Sequence, residues 1–394
     1  MAFLDYEGLT RYTEKFKSWV SGSFVPKTPT SWAEIQREVQ LGHGAVLFPV
    51  GTQIMDAWTA NDGATTYSAP WDVVHHSDEG MSLCWHYAIP DGVAYDAPEA
   101  IYYAPAGGLA AGTYYVTIGA AFGKGWVKGN TIQFTLTSAM DEGDQLFIDC
   151  ATSDANNPAA SRTWNVYAKG GATGKQSGTT SSGATGTSLG TIGATNAHKT
   201  EGNLNAISRV VYGSGRWSES AIRQWLNSEA AGGQWWTAQN AWDRPPSRSS
   251  YRGFLAGCSE DFLSVLQPTE VVTALNTMEG FTKTSETTQD RIFLPCLENW
   301  YIEPQLKGEG DEWDYYKSLA QEAGLSGKFQ WWQTYEVLKK HNISNTSSSA
   351  APWSRSCHNI YACRAWSDGN AGYLSSTNAS TALRGCPACK ILKK

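Results

Sequence analysis

Residues 212–228 read Tyr212-Gly-Ser-Gly-Arg-Trp-Ser-Glu-Ser-Ala-Ile-Arg-Gln-Trp-Leu-Asn-Ser. Ser218 stands where an N-cap is expected, and Ile222, Trp225 and Leu226 then fall on one face of a short helix. Further along, Glu260-Asp-Phe-Leu-Ser-Val-Leu, Trp313-Asp-Tyr-Tyr-Lys-Ser-Leu-Ala and Trp331-Trp-Gln-Thr-Tyr-Glu-Val-Leu are expected as helices. Long loops and few strong strand patterns lie between them. Eleven of the 18 Trp fall between Trp217 and Trp366. Irregular stretches need bulky side chains to pin them, and Trp can do so while satisfying its own N–H. Residues 201–394 therefore read as one domain built on a Trp frame.

Upstream the period changes. Ala45-Val-Leu-Phe-Pro-Val, Gly92-Val-Ala-Tyr, Ala100-Ile-Tyr-Tyr-Ala, Gly112-Thr-Tyr-Tyr-Val-Thr-Ile, Thr131-Ile-Gln-Phe-Thr-Leu and Gln145-Leu-Phe-Ile read as strands between Gly, Pro and Asp turns. Many short strands with regular turns predict a β-sandwich or barrel over residues 45–150. Gly170 to Thr195 is almost wholly Gly, Ser, Thr and Ala, so residues 151–200 read as a connector. It is either a flexible linker or a set of exposed strands and loops. In residues 3–20, Leu9, Tyr12, Phe16 and Trp19 share one helical face, with Asp5 at the cap. So short a helix must dock on something, its own protein or an assembly. A second short helix is expected from Ser31, with Trp32, Ile35 and Val39 on one side. Residues 1–44 are read as a helical attachment and oligomerisation segment.

Composition removes several function classes. The 394 residues are 17% charged with a formal net charge of -7, a poor match to a nucleic-acid backbone. No run of 18 apolar residues occurs, so no membrane insertion is expected. The opening Met-Ala-Phe-Leu-Asp-Tyr-Glu lacks a basic segment followed by an apolar core, so no signal peptide is expected. Eight scattered Cys read as mostly buried free thiols.

The segment 212–228, with Gln234-Trp-Trp-Thr-Ala-Gln-Asn, Asp243-Arg-Pro-Pro, Ala274-Leu-Asn-Thr, Ile292-Phe-Leu-Pro, Trp353-Ser-Arg-Ser and Pro387-Ala-Cys-Lys-Ile, resembles the DUF6273 family of gut bacteria and their phages. The likeness covers roughly 210–394 well and the strand-rich half more loosely. Members look like C-type-lectin-fold variable proteins diversified by diversity-generating retroelements, and the opening helix is similar to the N-termini of phage structural proteins encoded near tail genes. The resemblance implies a variable, ligand-facing region at about 353–389. There Cys357, His358, Tyr361, Cys363, Ser367, Asp368, Tyr373, Ser375, Thr377, Asn378, Ser380 and Thr381 would form the ligand-binding surface. Trp217, Trp225, Trp353, Arg355, Trp366 and Arg384 would be scaffold. Arg355 and Arg384 are expected to hydrogen-bond loop carbonyls, and Arg364 could be either scaffold or surface. Scrambling the adenines of an AAC codon cannot yield Lys, Glu, Gln, Met or Trp. Ser354 to Cys389 holds none of the first four, and Trp366 alone falls outside the accessible set. Ser177 to His198 lacks the same four types, so the absence supports the reading without deciding it. Tyr, Ser, Asn and Asp suit such a surface because they make adaptable contacts at low entropy cost.

Rival chemistries find weaker spacing. Cys357, Cys363, Cys386 and Cys389 could ligate zinc, but zinc sites pair close Cys twice and the first two are six apart. Cys386-Pro-Ala-Cys389 lacks the βαβ context of a redox motif. Glu303-Pro-Gln and Trp366-Ser-Asp loosely resemble calcium and sugar loops but lie about sixty residues apart, and Glu309, Asp311, Glu312 and Asp314 are expected to stay solvated. His75-His76 on a strand face opposite ways, so with His86 they make a poor metal set. The paired Cys of formylglycine-generating enzymes, which share the C-type-lectin fold, invite comparison, but nothing else matches that chemistry. No HExxH or Walker motif is present.

The expected fold is α+β and β-rich: an N-terminal helix and β-sandwich-like region, then a C-type-lectin-like, formylglycine-generating-enzyme-like domain. The expected function is non-enzymatic, without cofactor or metal. It is a phage or prophage tail adhesin that binds a protein or glycan receptor on a cell surface. It would assemble with itself, as a trimer by analogy with tail fibres, and with other tail proteins. The alternative is a bacterial surface or secreted carbohydrate-binding module. Expected locations are a virion tail or prophage particle, otherwise the bacterial surface or the extracellular space.

Overall fold

The computed structural model describes residues 29–119, 127–150, 163–168, 175–192, 209–210, 212–240, 242–276, 283–359, 364–368 and 374–394. The helix expected over 3–20 lies outside the described residues. The chain is β-rich, and it is organised around two cores rather than along the sequence.

Helix α1 (Trp32–Gln40) starts where Ser31 Oγ accepts the Glu34 N–H at 3.2 Å, a side-chain N-cap. Its Trp32, Ile35 and Val39 are buried. Trp32 packs on Phe262, ring centroids 4.6 Å apart. This stripe therefore docks on its own protein, so residues 29–44 are not a free attachment arm. The expected strand at Ala45–Val50 is instead a single helical turn, α2 (Gly44–Leu47).

Strands β1 (Gln53–Thr59), β2 (Thr66–His76) and β3 (Gly80–Trp85) follow as an antiparallel meander. Asp62 closes the first turn by accepting the Ala64 and Thr65 N–H groups. The meander's outer partner is the last strand of the chain. Ala388 to Leu392 pairs with β3, Leu392 opposite Gly80. A Cβ on Gly80 would meet the Ile391 carbonyl oxygen at 2.2 Å, so this approach requires glycine.

After β4 (Val93–Ala94) the chain leaves this core. Strands β5 (Tyr102–Tyr103), β6 (Gly112–Ile118), β7 (Thr131–Leu136), β8 (Gln145–Cys150), β9 (Thr163–Ala168), β10 (Lys175–Ser181) and β11 (Thr187–Ile192) form a seven-stranded sheet, order β11-β6-β7-β10-β9-β8-β5. Alternate residues Tyr114, Val116 and Ile118 of β6 meet Ile132, Phe134 and Leu136 of β7 in a separate core that includes Val210. Among the described residues no second sheet faces this core, and a curled half-barrel sheet stands where a sandwich or a barrel was expected. Of the two readings of the Gly/Ser/Thr-rich stretch, strands hold where it is described: 175–181 and 187–192 belong to this sheet.

The chain returns at α3 (Ala221–Leu226), capped by Ser220, whose Oγ accepts the Arg223 N–H at 3.3 Å. Ser218 lies in the tight turn before it, so the cap sits two residues later than expected. Next come α4 (Glu260–Val265), the hairpin β12 (Thr269–Ala274) and β13 (Ser285–Asp290), and α5 (Asp314–Glu322). Trp331–Leu338 has no α-helix, only a short 3-10 turn at Glu336–Leu338. The hairpin β14 (Lys340–Asn342) and β15 (Asn345–Ala350) leads to β16 (Pro352–Cys357), β17 (Arg364–Asp368), β18 (Leu374–Asn378), β19 (Ala382–Gly385) and β20 (Ala388–Leu392). Four of these join β4 in a five-stranded sheet, order β18-β17-β16-β19-β4.

Residues 32–95 and 217–391 thus share one hydrophobic core. Trp58 meets Trp85 edge-on at 5.5 Å and stacks on Phe254 at 5.4 Å, and Phe254 meets Trp225 at 5.5 Å. Each such pair adds about 0.5–1.5 kcal/mol beyond its buried area. The expected boundaries at 44, 150 and 200 are therefore redrawn: 32–95 belongs with 217–391, and the curled sheet is inserted between them.

Candidate functional site

All six residues of β16 are buried, as its middle place in the sheet demands. Trp353 donates its indole N–H to the Val93 carbonyl at 3.2 Å and meets Tyr95 edge-on at 5.4 Å. Tyr95 in turn donates to the Arg355 carbonyl at 3.0 Å. The Arg355 guanidinium donates to the carbonyls of Leu294 (2.8 Å), Val272 (3.3 Å) and Glu309, and to Asn299 Oδ1 (2.9 Å). One side chain so ties β16 to β12 and to two loops, which suits the planar fork of five donors that arginine carries. Gly310, at φ +157°, lies close under this fork, and a Cβ there would meet Arg355 Nη2 at 3.2 Å.

Glu309 is the acid at the centre of this clamp. Its carboxylate accepts the Ser356 hydroxyl and the Ala274 N–H (3.2 Å). Burial pushes its carboxyl up to about 7, while Arg355 and the Ser356 hydroxyl pull the other way. Glu298 accepts the N–H groups of Gly308, Glu309 and Gly310 and so shapes the loop. The expectation that Glu309 stays solvated is overturned: only 1% of it is exposed. Nothing in Gly308-Glu-Gly-Asp marks one acid as buried, because the reason is the arrival of β16 from far along the chain.

The other expected scaffold side chains also make specific contacts. Trp217 donates to Asp290 Oδ2 at 3.0 Å, and Arg223 holds the other oxygen of that carboxylate at 2.6 Å. Trp225 donates to the Arg252 carbonyl at 2.8 Å. Trp366 is buried, stacked on His358 at 5.1 Å and packed on Trp331 at 5.6 Å. Arg384 donates to the Pro90 carbonyl at 3.1 Å.

The expected ligand-binding residues divide. Cys357 (5% exposed), His358 (7%) and Ser367 (2%) are internal. Cys357 Sγ lies 3.2 Å from the Ala274 carbonyl oxygen, and Ser367 Oγ lies 3.1 Å from both the Ser375 carbonyl oxygen and Thr377 Oγ1. Cys357 and Ser367 lie in the inner strands β16 and β17 and His358 directly follows β16, so these three are corrected from surface to internal positions. On the edge strand β18 and the turn after it, Ser375 and Thr381 are exposed, while Thr377, Asn378 and Ser380 are half-buried. Tyr361, Cys363 and Tyr373 lie outside the described residues, as does the side chain of Asp368.

The rival constellations are dispersed. His75 Nδ1 contacts Asp314 at 2.9 Å, His76 Nε2 the Phe48 carbonyl at 2.8 Å, and His86 Nδ1 Asp72 at 2.9 Å, three separate partners. Burial pushes the Cys84 and Cys296 thiols up to about 12 and raises Cys258 and Cys389 as well, so these sulfurs stay protonated. Among the described residues no group of three or more His, Cys, Asp or Glu is placed to hold a metal. Nor, among them, is any helix long and apolar enough to cross a membrane.

Comparison with known proteins gives one match. A family described as a domain of unknown function, DUF6273, matches residues 197–393, half of the chain. No curated protein and no solved structure matches.

Proposed function

The chain belongs to the DUF6273 family, and from that premise we propose that it is a non-enzymatic binding protein presenting β18 and the turn after it to a receptor. The observation that carries the reading is the contrast between neighbours. A fully buried strand, clamped by Arg355, lies two strands in from an edge that carries Ser375, Thr377, Asn378, Ser380 and Thr381. Side chains on such an edge can change without moving the core, since surface substitutions usually cost within about 0.5 kcal/mol. Small hydroxyl and amide groups there also suit adaptable polar contacts.

In this proposal the frame is C-type-lectin-like, and the segment around 353–389 is diversified by a retroelement. The protein rides on a phage or prophage tail as a homo-oligomer and binds a protein or glycan on a cell surface. The genetic test is the neighbouring DNA. A reverse transcriptase gene and a near-repeat of the 3′ end, differing only at adenines, are expected; their absence would remove the diversification claim. The binding test is receptor capture with the parent chain and with a Ser375→Ala/Asn378→Ala/Thr381→Ala variant. Loss of capture with unchanged Tm supports the face, and unchanged capture rejects it.

A further inference from the structure

We propose that the amphipathic segment 3–20 docks on its own chain, in a groove between α1, α2 and β1, with Phe16 and Trp19 seated there. The groove has a volume of about 470 Å³, and its apolar lining is Trp32, Ile35, Leu47, Phe48, Ile54 and Met55. Trp32, Ile35 and Phe48 are buried, Leu47 and Ile54 are only half-buried, and Met55 is 55% exposed. Among the described residues β1 is the edge of its sheet, so no strand covers this side. Apolar surface gathered and left open in this way marks a contact site.

Position and pattern choose the occupant. The described chain begins at Pro29, and Pro29 and Thr30 themselves line the groove. The spacer Val20–Thr28 is nine residues long, so even fully extended it spans at most about 30 Å. Trp19 therefore stays near the groove, at an effective concentration on the order of millimolar. A second copy or a free partner would have to outcompete that tether. Leu9, Tyr12, Phe16 and Trp19 share one helical face, and so short a helix holds only when that face is covered.

Charge agrees with this choice. Asp56 and Asp261 also line the groove. Asp56 accepts the Ser259 hydroxyl at 3.2 Å and Asp261 the Trp32 N–H at 2.8 Å, and among the described residues neither has a basic side chain in ion-pair contact. Burial raises the Asp56 carboxyl, and the charge of Asp261 adds to the rise. The segment carries Arg11 and Lys15 beside its stripe, one place before Tyr12 and Phe16. Its acids lie away from Phe16 and Trp19: Asp5 and Glu7 two turns or more before Phe16, and Glu14 on the opposite face.

The test is hydrogen exchange read by mass spectrometry on the full chain. Amides of residues 9–20 should exchange at least about tenfold more slowly than in a free peptide of the same sequence. Ile54→Asp, which puts a charge in the groove, should remove that protection, and Phe16→Asp/Trp19→Asp should in turn speed exchange over residues 47–56. If Ile54→Asp does not fold, Met55→Glu, at an exposed position, carries the test. Protection should not change on dilution, and sedimentation should give the Phe16→Asp/Trp19→Asp variant the mass of the parent. Unprotected 9–20 in the parent overturns the proposal, and so does protection that survives the groove variants. Protection lost on dilution, or a smaller mass for the stripe variant, would give the groove to a second copy and overturn it as well.

Discussion

Strands β16 and β18 lie two places apart in one sheet and draw on similar residues, yet their fates are opposite. In β16, Ser354 and Ser356 are buried and bonded, to the Trp366 carbonyl and to Glu309. In β18, Ser375 faces solvent. The residue type is the same, so the difference lies in sheet order: β16 is flanked by β17 and β19, while β18 is an edge. A hydroxyl becomes frame when strands close over it and becomes surface when none does.

The largest effect expected from breaking this contrast is at Trp353. Trp353→Ala should cost about 3–5 kcal/mol in chemical denaturation, as for a buried aromatic cut to Ala; a near-neutral result would mean that β16 is not the clamped strand. Arg355→Met should follow at about 3 kcal/mol, because it strands three buried carbonyls and the Glu309 carboxylate. Arg355→Lys should recover only part, since one ammonium cannot reproduce the fork.

Glu309 sharpens the comparison through pH. Its carboxyl is raised from 4.5 to about 7, so the folded form holds a proton that the unfolded chain releases earlier. Its contribution is therefore fullest below about 4.5, declines as pH rises to about 7, and is flat above that. Asp96, Glu99 and Asp243 are raised by burial too, so the measurement is the difference between parent and Glu309→Gln across pH 4.5 to 8. The variant should have the shallower slope; equal slopes would show that Glu309 does not titrate in this range. The smallest effect is on the edge. Ser375→Ala, Asn378→Ala and Thr381→Ala should each change stability by less than about 0.5 kcal/mol. A larger loss would move these residues into the frame.

Much of the local structure was legible. Ser31 caps α1, and the alternation in 112–118 and 131–136 gives β6 and β7. The burial of Trp217, Trp225, Trp353 and Trp366 follows from the density of Trp in the C-terminal half. The errors share a cause. Ala45–Val50 is apolar enough for a strand, but no strand pairs with it among the described residues, and Gly44–Leu47 closes as a helical turn. The family resemblance places Cys357, His358 and Ser367 on the variable surface, yet all three are buried. No strand is expected from sequence between residues 50 and 92, and that stretch falls in the expected 45–150 region; the meander's outer partner, β20, lies about three hundred residues away in sequence.

Sequence alone determined what depends on near neighbours: the Ser31 cap of α1, the strand period of β6 and β7, the low charge, and the family likeness across 197–393. Tertiary structure decided which strands are neighbours, and with that which serines are frame, which acid is buried, and where one core ends and the other begins. The physical reason is that burial is a property of pairing between distant strands, and a local pattern of side chains does not specify its partner.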